Sequence, residues 1–121
     1  MANWCYNFLQ FEGNSEAVND VMAFFKEMER REKSTAHGQL PDFIIEKEGY
    51  MSSINCYEDN VSYETRWSPN VEVVVQIAEK FKLGFTLSYN ELDNLIFGEY
   101  VYKNSVLTDF ALIQQTLICT I

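Results

Sequence analysis

The sequence predicts an α+β fold in the order β-α-β-β-α-β, with two helices on one face of an antiparallel sheet plus an extra strand and a C-terminal tail. Three observations predict it. Two stretches carry apolar residues at helical spacing, and several shorter ones alternate with period two. Gly, Pro and Asn punctuate the joints between them. At 121 residues the chain is expected to form one domain, 1–121, large enough to bury a core without disulfides or metals.

The first strand lies in NWCYNFLQFEG, residues 3–13. Cys5, Asn7, Leu9 and Phe11 share one face, and Trp4, Tyr6, Phe8 and Gln10 share the other. Apolar groups on both faces predict a strand in the middle of its sheet. Gly13 ends it, and Asn14 or Ser15 can cap the helix that follows, with Glu16 favourable in its first turn. That helix spans about 15–33, with Val18, Val21, Met22, Phe25 and Met28 as its apolar stripe. Its charged end, KEMERREK, offers Glu27 to Arg31 and Glu29 to Lys33 as i,i+4 pairs.

Residues 34–49 form an irregular connection punctuated by Gly38 and Pro41. Phe43, Ile44 and Ile45 are expected to tuck back onto the body, and a connection of this length is often functional. Two strands follow, about 50–57 and 61–67, joined through Glu58-Asp59-Asn60. Ser68 is expected as the cap of the second helix and Pro69 as its first residue. Val71, Val74, Ala78 and Phe81 form its stripe, with Ile77 on the flank, and Gly84 stops it. A fourth strand runs over 85–89, NELDN turns at 90–94, and a fifth strand occupies about 95–103. Gly98 within it signals a bulge or a close approach. The C-terminal addition is 95–121. Within its tail, 107–121, the start can be helical while TLICTI favours a strand.

This order is the split-βαβ, ferredoxin-like arrangement. The Cys5, Leu9 and Phe11 side of the first strand then packs on the helices. Asn7, set among them, is expected to hold backbone groups near the Trp67-Ser68-Pro69 corner. Trp4, Tyr6 and Phe8 take the opposite sheet face, which is either open or covered by the added strands.

Composition narrows the function classes. With 9 basic and 18 acidic residues the chain carries a net charge of −9, spread as −4 over residues 1–49 and −5 over 50–121. Direct nucleic-acid binding, which needs Lys and Arg against phosphates, is disfavoured. Acidity suits solubility, a basic protein partner or mimicry of a polyanion. Cys5, Cys56 and Cys119 are odd in number and widely spaced, without a CxxC, so reduced thiols are expected rather than a disulfide framework or zinc site. No leader-like or membrane-length apolar run is present, so a cytoplasmic protein without a membrane partner is expected.

The search for chemistry returns little. His37 is the only histidine and sits in the irregular connection, away from any activating Cys or Ser motif. No phosphate-cradling glycine motif or metal-ligand spacing occurs, and no cofactor is expected. Glu64, Glu91 and Glu99 would make an acid–base pair only if folding brought them together. No catalytic residue is assigned.

Several motifs in order carry a resemblance. The start Asn3-Trp4-Cys5 with Asn7, the Trp67-Ser68-Pro69 corner, and Tyr89, Glu91, Phe97 and Gly98 resemble the YubB-like ferredoxin-like domain family, an uncharacterised group found on plasmids and in phages. The chain departs from it at SSINCYED, which lacks the tryptophan and basic residue common there. The resemblance covers most of residues 2–100 and implies a fold and a mobile-element setting.

The leading expectation is therefore a non-enzymatic protein-interaction module. It would act on a host protein in the bacterial cytoplasm, in counter-defence or regulation. Its expected surface is Trp4, Tyr6, Phe8, His37 and Phe43, with the family-motif residues holding the frame. The alternative is single-stranded nucleic-acid binding through the aromatic sheet face, where bases stack on rings. A homodimer through the tail or an edge strand is a further alternative.

Overall fold

Period-two alternation in the first strand, β1 (Trp4–Glu12), sorts its side chains completely: Cys5, Asn7, Leu9 and Phe11 are buried and the residues between them are exposed. The computed structural model describes residues 4–45, 47–91 and 96–113. After β1 come α1 (Ser15–Thr35), β2 (Ser52–Tyr57), β3 (Asn60–Arg66), α2 (Val71–Phe81), β4 (Gly84–Glu91), β5 (Ile96–Lys103) and β6 (Val106–Ile113). The strands form one antiparallel sheet in the order β2-β3-β1-β4-β5-β6. The β2-β3-β1-β4 part is the split-βαβ core, and β1 is central, as its two-sided apolar pattern predicts. Both helices cover one face. No helix among the described residues is long and apolar enough to cross a membrane.

The core lies between that face and the helices. Leu9 sits opposite Val61 on one neighbour and Leu87 on the other, all fully buried. Phe25 of α1 reaches Phe11 at a centroid distance of 5.7 Å, and Phe24 joins the helices through Phe81 at 5.6 Å. Each such side chain contributes roughly 1.5–3 kcal/mol on burial.

α1 begins as its sequence predicts: the Asn14 side-chain oxygen accepts the Glu16 and Ala17 N–H groups at 2.8 and 3.4 Å. It runs two residues further than its stripe indicates and closes through Ala36 in the left-handed conformation. Lys33 pairs with Glu29 at 3.2 Å, but Glu27 takes Arg30 at 2.6 Å rather than Arg31. The i,i+3 neighbour lies on the same face, and exposed pairs of this kind contribute little. The Glu32 carboxylate accepts the Ser53 and Ile54 N–H groups at 2.6 and 2.9 Å, fixing α1 to the bulge of β2.

Four expectations are corrected. α2 does not start at Ser68-Pro69: Trp67 turns into the left-handed region (φ 71°), and Asn70 rather than Ser68 is the N-cap residue. The Ser68 carbonyl is occupied by the Thr65 hydroxyl at 2.7 Å, so Trp67-Ser68-Pro69 is a corner, not a helix turn. Of Phe43, Ile44 and Ile45 in the 34–49 connection, only Ile44 is fully buried; Phe43 is half-buried and Ile45 is 82% exposed. Asn90 and Glu91 continue β4 rather than turning, while residues 92–94 lie outside the described residues. The tail does not start as a helix: β6 pairs with β5 along its length, through a tight turn in which Asn104 and Ser105 both have positive φ. That is the backbone of a two-residue hairpin, whose twist matches the flanking strands. TLICTI, Cys119 and Asn3 lie outside the described residues.

Gly98 is a close approach rather than a bulge. The register of β4 against β5 is unbroken, and the Tyr89 ring lies where a Gly98 side chain would be, stacked on Tyr100 at 5.5 Å.

Candidate functional site

Two concave surfaces draw on the residues the sequence singles out. The first is a cleft of about 1070 Å³ where the 34–49 connection meets the corner after β3. Trp4, His37, Lys47, Arg66 and Trp67 line it. The Arg66 guanidinium lies over the Trp4 ring, 5.6 Å from its centroid. The cleft floor is a satisfied framework. Asn7 donates to the Cys5 and Tyr63 carbonyls and to the Thr65 hydroxyl at 3.2, 3.4 and 3.0 Å, and Thr65 passes on to Ser68. Asn70 accepts from the Tyr63 hydroxyl at 2.8 Å and donates to the Gly49 carbonyl at 3.0 Å. The expected tie between Asn7 and the corner is therefore present, relayed by Thr65.

The second is a trough of about 770 Å³ on the helix-free face of the sheet. Register builds it. One row across the strands reads Ser62, Phe8, Ser88, Glu99, Phe110, and the next reads Glu64, Tyr6, Asn90, Phe97. Small serines between rings leave the hollow. Tyr6, Phe8 and Phe110 are 44%, 45% and 51% exposed, so this face is open. Asn90 is half-buried, and its side-chain oxygen is buried without a hydrogen-bond partner. An unpaired buried acceptor costs about 1–3 kcal/mol and calls for an explanation.

The structure divides the expected surface into three. Tyr6 and Phe8 enter the trough. Trp4, 37% exposed, and His37 enter the cleft. Phe43 belongs to neither: it packs on Phe24 at 5.9 Å, with Lys80 Nζ 5.1 Å from its ring. The carboxylates do not converge. Glu64 and Glu99 stand three strands apart on the open face, roughly 14 Å at normal strand spacing. Glu91 alternates onto the other face, where burial of the thiol first and the Glu91 charge second push Cys5 up to about 11. Burial and Glu29 push Cys56 up to about 12. Both thiols stay protonated at neutral pH, which leaves them poor nucleophiles. Among the described residues no three His, Cys, Asp or Glu side chains are placed to hold a metal ion.

Asn90, Glu99 and Phe110 are the trough residues that sequence reasoning missed. The alternation in FTLSYNE and VLTDFALI was the available signal, once β6 is taken as a strand.

The chain is a ferredoxin-like α+β domain whose sheet a C-terminal hairpin extends beyond β4. Residues 48–118, more than half of it, match the family described as the ferredoxin-like domain in Api92-like protein, and the chain belongs to that family. No curated protein and no solved structure matches it.

Proposed function

We propose that this is a non-enzymatic interaction module that grips a partner protein with the open face of its sheet. The observation that carries the proposal is the trough itself: three exposed rings on a face that also bears Glu12, Glu64 and Glu99. Exposed aromatic surface of this kind marks interaction sites, and rings dominate the binding energy of protein interfaces. The motif resemblance of Asn3-Trp4-Cys5 and Trp67-Ser68-Pro69 to the YubB-like family supports a phage or plasmid setting. The partner would then be a host protein in the bacterial cytoplasm, met in counter-defence or regulation. That step rests on association.

Single-stranded nucleic acid is the second reading. It is favoured by the open rings of Tyr6 and Phe8 on the central strand, where this fold class stacks bases. The excess of carboxylates over Arg66 and Lys103 on that face weighs against it. One experiment separates the two. Tagged protein and a Tyr6→Ser/Phe8→Ser variant are incubated with bacterial lysate, with and without nuclease, and bound material is identified by mass spectrometry. A protein retained under nuclease and lost with the variant supports the module. Capture that disappears with nuclease transfers the face to nucleic acid.

A further inference from the structure

We infer that the trough recognises a cationic side chain, an arginine on a basic segment of the partner. This rests on the protein-interaction reading and specifies its chemistry. Two features of the trough need the same ligand. Glu99, exposed and directly opposite Phe110 in the strand register, supplies a negative charge beside that ring. Tyr6, Phe8 and Phe110 offer exposed ring surfaces around the small Ser88. A donor-rich, positively charged plane satisfies both at once.

A guanidinium is that group. Its flat face lies on rings, its N–H groups serve a carboxylate beside them, and its weak hydration makes entry into an aromatic hollow easier than for an ammonium. The net charge of −9 draws a basic segment toward the chain from a distance. The basic residues of the open face stand aside: Arg66 lies over Trp4, and Lys103 is at the far end of β5.

The test is an amide-shift titration by NMR with three probes: a tetra-arginine peptide, the same peptide with citrulline for arginine, and oligothymidylate. Citrulline keeps the shape and removes the charge. The expected result is that the arginine peptide perturbs residues 6–8, 88–90, 97–99 and 110 and binds at least about fivefold more tightly than the citrulline peptide. Glu99→Gln should weaken it about fivefold, and Tyr6→Ala or Phe110→Ala should do likewise with the cooperative melt retained. Glu58→Gln, on the β2–β3 turn, should leave it unchanged. Equal weakening by Glu58→Gln and Glu99→Gln overturns the inference, because the attraction is then diffuse. Equal binding of both peptides overturns it and leaves the interaction module standing. Oligothymidylate binding at the trough in place of the peptide overturns both. If no probe binds, the inference falls, and the nuclease-resistant capture experiment decides the broader reading by itself.

Discussion

On β1, side chains pointing toward the helices and side chains pointing away differ by one position in sequence and carry comparable apolar weight. Toward the helices are Cys5, Leu9 and Phe11, all buried; away from them are Trp4, Tyr6 and Phe8, all exposed by more than a third. Composition therefore does not decide which face becomes core. The two helices do: their stripes, with Val21, Phe25, Val74 and Ile77, close over Leu9, Phe11, Val61 and Leu87 in one core cluster. The other face keeps rings separated by serines, a relief that no element of the described chain fills. One face is complementary to the chain itself, and the other is left for something else.

The strongest way to break this comparison is to charge the covered face. Leu9→Asp puts an unpaired carboxylate among Val61, Leu87 and the helices, and loss of folding is expected. A soluble variant with a cooperative melt would overturn the placement of β1. Gly98→Ala comes next. The new methyl meets the Tyr89 ring, which is buried and stacked on Tyr100 and has little room to give. Destabilisation of about 1–3 kcal/mol by urea unfolding is expected, and a stability equal to the parent would show that Tyr89 repacks.

The covered face also predicts a pH dependence. Folding raises the Cys5 and Cys56 thiols from the ordinary 9.0 to about 11 and about 12, chiefly by burial. A group whose value is raised on folding supports the fold fully below its unfolded value and stops doing so as pH climbs through the folded one. Stability should therefore hold up to pH 9 and decline between 9 and 12. Burial raises Tyr63 and Tyr89 in the same direction. Urea midpoints at pH 8 and pH 10.5 check this, and equal midpoints would contradict it. Cys5→Ala should reduce the loss.

How much of this was legible in the sequence follows from which forces act locally. The faces of β1, the Asn14 cap, the α1 stripe and the β-α-β-β-α-β order depend on spacing along one segment, and the sequence carries them. The start of α2 was misjudged because Ser68 spends its carbonyl on Thr65, a bond with β3 that competes with capping. β6 was misjudged because its evidence lies in two left-handed residues, Asn104 and Ser105, whose conformation a short alternating run does not announce. Part of the trough was visible as Tyr6 and Phe8. Asn90, Glu99 and Phe110 reach it only through the pairing register of β4, β5 and β6, which local pattern does not specify.

The smallest expected effect is the sharpest test of the open face. Tyr6 is flanked across the strands by Glu64 and Asn90, neither of which packs a core against it. Tyr6→Ala removes a ring already 44% exposed, so only cross-strand contacts are lost, and a change below about 1 kcal/mol is expected. Phe8→Ala, between Ser62 and Ser88, should behave alike. The pair should also add nearly independently, because alternate residues on one strand share few neighbours on an uncovered face. A loss above about 2 kcal/mol at either site, or strong coupling between them, would mean that another part of the protein or a second copy sits on these rings. In that case the two faces of β1 would both be core, and the trough would be an internal seam instead of a docking surface.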